Sequence, residues 1–200
     1  MGISSGSLTF FRLYFNETFN LRVTEIREKL GNCSFSNLFQ DEKPLNYGFV
    51  PFEYPKYENF DSAEILFGEN YLFCLRLDEK KVSKKYFDIE FIKFKNQFVA
   101  ENNKQSLTKT DIEFLKNALS ANLLKNSTPS TSLVEIILRT EQREIFISNL
   151  STKIFSAVEH LFRIAFDVVL YKDSLMEILR RNIKNSAILD SIAKLTPYNF

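Results

Sequence analysis

The residues of this chain best suited to bind something are its lysines. Lys80, Lys81, Lys84 and Lys85 are crowded together, and Lys95, Lys104 and Lys109 follow in the same third of the chain. Ammonium groups clustered on a rigid element suit a polyanion better than a small-molecule pocket. The charge distribution points the same way. The formal net charge is only +1, yet residues 1–78 carry 7 basic and 11 acidic groups, residues 79–126 carry 10 and 6, and residues 127–200 carry 9 and 8. The middle third is therefore the candidate anion-contact surface. A solvated charged face is the competing reading of the same lysines.

Other chemistry has little to work with. His160 is the one histidine, so a His-based metal site, a Ser-His-Asp triad or a Cys-His pair would have to converge on it alone. It reads instead as a helix histidine at the edge of a core. Asp88, Glu90 and Lys93 could be assembled into a metal-dependent nuclease. On a helix, however, positions i and i+2 point about 200° apart, so the two carboxylates would not share an ion. No GxGxxG, Walker or CxxC pattern occurs, and five glycines leave little for phosphate-cradling loops. No catalytic residue, cofactor or metal ligand is expected. Cys33 and Cys74 read as small buried hydrophobes of a reduced protein.

The elements that must position the lysines follow from periodicity. Tyr71, Phe73, Leu75 and Leu77 form one apolar strand face, while Leu72, Cys74, Arg76 and Asp78 form a face that turns polar. Ser83 is an N-cap for a helix to about Glu101, with Phe87, Phe91, Phe94 and Phe98 on one side. Interleaved with lysines, these rings could stack on bases. Their helical spacing favours a core face. Thr108 and Asp111 make a capping box for a second helix through Leu124.

Around this pair lie a strand over Leu8–Phe15, a short helix capped by Asn20 and closed by Gly31, and an extended piece over Tyr47–Pro51. Hairpins are expected at Glu64–Leu77 and Leu133–Ser148. A helix capped by Ser151 or Thr152 runs to Phe166, a strand covers Asp167–Tyr171, and two short helices cover Leu175–Arg181 and Ala187–Ala193. The order β-α-β-β-β-α-α-β-β-α-β is α+β, because the strands come as antiparallel hairpins and not as βαβ units.

Two hundred residues suit a single domain, or two packed lobes over 1–126 and 127–200. Twenty-one Phe, 8 Tyr and no Trp favour a thick sheet-based core. The first residues lack the basic and apolar regions of a signal peptide, and no run of 18 apolar residues spans a membrane. The expectation is a cytoplasmic protein.

The order and spacing of several segments resemble the RdgC family of recombination-associated proteins. Gly6-Ser7-Leu8-Thr9-Phe10-Phe11-Arg12 looks like that family's first strand. Asn46-Tyr47-Gly48-Phe49-Val50-Pro51 resembles its Gly-Trp-Val segment, with Phe49 in place of Trp. Tyr71–Asp78 followed by Lys80, Lys81 and Val82 is similar to its strand-then-basic-helix core. Leu107-Thr108-Lys109 and Leu123-Leu124 look like its second long helix. Leu195-Thr196-Pro197-Tyr198 is similar to the end of the short members, which lack the C-terminal region of the longer ones. The resemblance implies a non-catalytic, non-sequence-specific DNA-binding protein. It would contact chiefly duplex DNA, act as a homodimer, associate with the nucleoid and restrain RecA-driven strand exchange. The phosphate contacts would be Lys80, Lys81, Lys84, Lys85, Lys95, Lys104 and Lys109. The alternative is a non-catalytic protein-interaction module without DNA affinity, its lysines only solvated and its surface carrying an exposed apolar patch.

Overall fold

A computed structural model describes residues 9–18, 21–35, 44–102 and 106–172, together with 183, 188, 191 and 194. The elements are β1 (Phe11–Tyr14), α1 (Val23–Asn32), β2 (Leu45–Pro51), β3 (Leu66–Phe67), β4 (Asn70–Glu79), α2 (Lys84–Glu101), α3 (Lys109–Asn126), β5 (Ser130–Arg139), β6 (Glu144–Ile147), α4 (Thr152–Phe166) and β7 (Tyr171–Lys172). Their order is the expected one, and the fold is α+β. The helices expected over Leu175–Arg181 and Ala187–Ala193 lie largely outside the described residues.

All seven strands join one antiparallel sheet in the order β2-β4-β5-β6-β1-β7, with β3 beside β4. Strand alternation sorts its two faces. Phe49, Phe73, Leu75, Val134, Ile136, Ile145 and Ile147 point to one side and are almost fully buried. That side is covered by α4, whose Phe162 ring meets Phe49 at 5.7 Å, edge to face. Helix α1 adds Ile26 and Leu30 to the same core and is pinned to α4 by Lys29, whose Nζ donates to the Ala165 carbonyl at 3.0 Å.

The opposite face carries the polar turn that alternation predicts. Arg76 donates to both carboxylate oxygens of Asp78, at 3.1 and 2.7 Å, and to the Tyr54 hydroxyl. Its guanidinium lies 4.1 Å over the Phe35 ring. Gly48 sits across from Arg76 in β2. A Cβ there would meet the Phe35 main chain at 2.5 Å, so the close approach of residue 35 requires glycine.

The strand expected over Asp167–Tyr171 is only Tyr171–Lys172, because Asp167 caps α4 in the left-handed region, and both ends of α1 also differ from expectation. Helix α1 starts from Arg22, where Glu25 accepts the Arg22 N–H at 2.6 Å, and Asn20 lies outside the described residues. Gly31 does not close this helix: it stays out of the left-handed region, and the chain continues helically to Asn32, with the buried Cys33 as the C-cap.

Helices α2 and α3 are inserted between the neighbouring strands β4 and β5 and pack on each other instead of on the sheet. They run antiparallel. Lys84 and Phe87 face Ser120 and Leu124, and Lys116 Nζ lies 5.8 Å over the Phe91 ring. Each has 18 residues, about 27 Å at 1.5 Å per residue. The caps are those the sequence announces: Ser83 Oγ accepts the Tyr86 N–H at 3.3 Å, and Thr108 and Asp111 form a reciprocal capping box. Phe87, Phe91, Phe94 and Phe98 line the seam between the helices, but only half-buried. No residue of α2 is fully buried, and α3 buries Leu115 and Leu119. Two amphipathic faces closing on each other without a sheet behind them cannot bury more. Among the described residues, no helix is long and apolar enough to cross a membrane.

Candidate functional site

The foot of the α2–α3 hairpin is built where β4 leaves the sheet. The main-chain N–H of Lys80 donates to the Pro44 carbonyl at 2.8 Å, which ends the strand. Its side chain then turns inward. Lys80 is only 8% exposed, and its Nζ donates at 3.2 Å to the Lys125 carbonyl in the last turn of α3. A helix C-terminus offers unpaired carbonyls and partial negative charge, so an ammonium group is favoured there. This corrects the expectation that Lys80 is an exposed phosphate contact: it is a structural tie.

Lys81 points out. Its side chain is 71% exposed and its Nζ lies 2.7 Å from Glu79 Oε2. The other oxygen of Glu79 bonds Lys153, from the first turn of α4. These two lysines, Lys153 first, hold the Glu79 carboxyl below its ordinary range. Lys84 and Lys85 follow in the first turn of α2. Both are exposed, and that turn contains no acid. Cations at a helix N-terminus oppose the macrodipole, so the potential there is strongly positive. Lys80, Lys81, Val82, Lys84, Phe87, Ser120 and Leu124 line a depression of about 390 Å³ at this point.

The remaining lysines do not converge on it. At about 100° per residue, Lys95 lies within about 20° of Lys84 around α2 but three turns further along, and Lys85 lies about 100° away. Lys109 begins α3 at the far end of the hairpin and is exposed. Lys104 lies outside the described residues. The set is therefore a basic foot of Lys81, Lys84 and Lys85 with single lysines spaced along the hairpin.

Lys153 was not legible as a member. It stands 74 residues from Glu79, and only the packing of α4 brings the two together. A lysine in the first turn of a predicted helix, without an acid beside it, was the one available signal.

The other candidates are quiet. Lys93 Nζ bonds Glu90 at 2.7 Å, while Asp88 is exposed on a different side of α2. No group of three His, Cys, Asp or Glu that could hold a metal occurs among the described residues. His160 is exposed on α4, with Nδ1 3.2 Å from the Tyr47 hydroxyl. Cys33 and Cys74 are buried free thiols. Burial pushes both up, Cys74 to about 12 with help from Glu135.

No protein-family model matches this chain, and no curated protein matches it.

Proposed function

We propose that the protein binds DNA through its phosphates, without reading sequence, and modulates RecA-dependent recombination without catalysing a reaction. The observation that carries this reading is the basic foot. Lys81, Lys84 and Lys85 stand exposed at the acid-free start of α2, with Lys153 beside them across Glu79. Main-chain N–H groups and ammonium groups together favour a phosphate. Lys95 and Lys109 extend the contact along a hairpin long enough to follow several phosphates. The resemblance of Tyr71–Val82 and Leu107–Lys109 to the RdgC family supplies the recombination role, the preference for duplex and the nucleoid location.

Fluorescence anisotropy on duplex and single-stranded oligonucleotides at two salt concentrations tests it. Neutralising about six phosphates gives a log-log salt slope of roughly −5 on duplex. Binding that ignores salt, or no binding at low salt, defeats the reading.

A second reading, a protein-interaction module, is favoured by a different observation. Tyr86, Ile89 and Ile92 on α2 and Phe114 on α3 are each more than half exposed, and exposed apolar surface of this kind suits a contact surface.

A further inference from the structure

The sheet face turned away from α4 carries a second depression, of about 300 Å³, lined by Phe10, Glu69, Asn70, Ile137, Arg139 and Phe146. It lies where β4 begins and β5 ends, and the length of β4, about 30 Å at 3.3 Å per residue, separates it from Glu79 at the basic foot. Strand register builds its floor: Ile137 pairs with Phe146, and Arg12 flanks Phe146 from β1. The Phe10 and Phe146 rings meet edge to face, with centroids 5.8 Å apart. The Arg139 guanidinium lies 5.9 Å over the Phe146 ring and donates to Glu144 at 3.2 Å. A guanidinium has five N–H donors, so others remain for a ligand. Glu69 and Asn70 stand at the β3–β4 turn, and neither side chain makes a hydrogen bond or ion pair among the described residues. Arg12 and Arg139 balance Glu69 and Glu144 in charge, so this corner does not favour a polyanion.

We propose that this pocket binds guanine, as a free nucleoside. Its volume is at the lower end for small-molecule sites and suits one ring system. The aromatic corner and the guanidinium beside it offer faces on which a base stacks. The polar groups then select which base, by its Watson–Crick edge. Guanine presents two neighbouring N–H donors, the 2-amino group and N1–H, followed by the O6 acceptor. A carboxylate only accepts, through two oxygens, so Glu69 matches both donors at once. The Asn70 amide can donate to O6, and Arg139 supplies the N–H pair that suits O6 and N7. Adenine and cytosine set a ring-nitrogen acceptor beside their amino group, which a carboxylate repels. Uracil and thymine place a single N–H between two acceptors. Guanine alone therefore uses Glu69 fully. The balanced charge favours a nucleoside over a strand, whose phosphates would gain nothing here.

The inference does not rest on DNA binding at the basic foot. Saturation-transfer NMR with guanosine, inosine and adenosine, each up to about 1 mM, tests it on the full chain. Guanosine should show transfer. Inosine, which lacks the 2-amino donor, should bind at least about fivefold more weakly, and adenosine more weakly still. Phe146→Leu should weaken guanosine binding by at least about fivefold through lost stacking. Glu69 is exposed in a turn, so Glu69→Gln keeps the fold, and it should erase the preference for guanosine over inosine. Changing Lys81, Lys84 and Lys85 to Glu should leave guanosine binding intact, which keeps failure of the pocket separate from failure of the DNA-binding reading. No transfer to guanosine, equal binding of the three nucleosides, or a guanosine affinity that neither Phe146→Leu nor Glu69→Gln changes each overturns the proposal. A thymine oligonucleotide carrying one guanine should bind this pocket no tighter than guanosine; much tighter binding that Phe146→Leu abolishes overturns the assignment to a free nucleoside.

Discussion

The Nζ of Lys80 lies 3.2 Å from the main-chain oxygen of Lys125, and this bond ties the start of the helical hairpin to its finish. It separates two lysines adjacent in sequence into different roles. Lys80 holds α3 against the end of β4, and Lys81 faces solvent. Lys80→Met should keep most of the packed stem yet remove the ammonium donor from the last turn of α3. A loss of about 1–3 kcal/mol is expected in urea unfolding, with DNA affinity nearly unchanged. Changing Lys81, Lys84 and Lys85 together to Glu should do the reverse, weakening binding to every sequence alike at little cost in stability. If Lys80→Met abolishes binding in a folded protein, the division of roles is wrong.

Asp78 is 1% exposed and held by two bonds from Arg76. Asp78→Ala would leave a guanidinium without its anion between Phe35 and Tyr54. Breaking one side of such a pair costs about 3–5 kcal/mol. The midpoint of urea unfolding should fall accordingly. Replacing both partners by apolar residues of similar size should cost much less, and equal losses for the two variants would refute the ion-pair account.

Gly48→Ala tests the close approach of residues 34 and 35 to β2. The added methyl would sit 2.5 Å from main-chain atoms of Phe35 and 2.8 Å from the Ser34 carbonyl carbon. Backbone atoms cannot rotate away. A destabilisation of about 1–3 kcal/mol is expected, accompanied by weaker amide-exchange protection at Phe35, whose N–H donates to the Phe49 carbonyl, and at Phe49, whose N–H donates to the Cys33 carbonyl. Unchanged stability and protection would show that this crossing is looser than drawn.

What was legible in the sequence was local. The Ser83 and Thr108 caps form bonds three residues away, so the residue types alone announce them. The alternation of Tyr71–Asp78 fixes which side chains share a sheet face, and the turn at Gly68, with φ +63°, favours glycine. Depth was not legible. The phenylalanine stripe of α2 predicts a buried side but not that only α3 would cover it. Lys80 and Lys81 look alike in sequence, and what buries one is a carbonyl 45 residues away. Lys153 joins the basic foot through α4 packing, which no spacing encodes. Gly31 carries a helix-stop residue type inside a helix that ends at the buried Cys33.

Cys74 gives the fold an alkaline limit. Its thiol is raised from the ordinary 9.0 to about 12 by burial and by Glu135. In the unfolded chain it ionises near 9, so the native state, which keeps the proton, is penalised as pH rises. Its share of stability is whole below pH 9 and is lost between 9 and about 12, at up to about 1.4 kcal/mol per pH unit. Cys74→Ala should flatten the fall in urea stability over that window. Cys33 and Tyr71, raised in the same sense, leave part of it. Native Cys74 should also resist maleimide at pH 8. Rapid labelling of the folded protein, or an unchanged alkaline slope, would count against burial as the cause.

Glu79 occupies the place where a phosphate would be expected to sit. Its two oxygens are taken by Lys81 and Lys153, so the carboxylate cancels one of their two charges in the free protein and would have to be displaced before both lysines contact a phosphate. Glu79→Gln removes the competing charge while keeping the shape. DNA affinity should rise, and the salt slope should steepen by roughly one for each lysine released. Protonation should act similarly. The lysines hold the Glu79 carboxyl below its ordinary value, so its stabilising pair is intact above the unfolded carboxylate range and is lost only as pH falls through the lower folded value. Wild-type affinity should therefore approach that of Glu79→Gln on acidification, while the variant shows a weaker pH response. A Glu79→Gln protein that binds no tighter, with wild-type salt slope, would move the phosphate contacts away from Lys81 and Lys153 and leave Lys84 and Lys85 as the core of the foot.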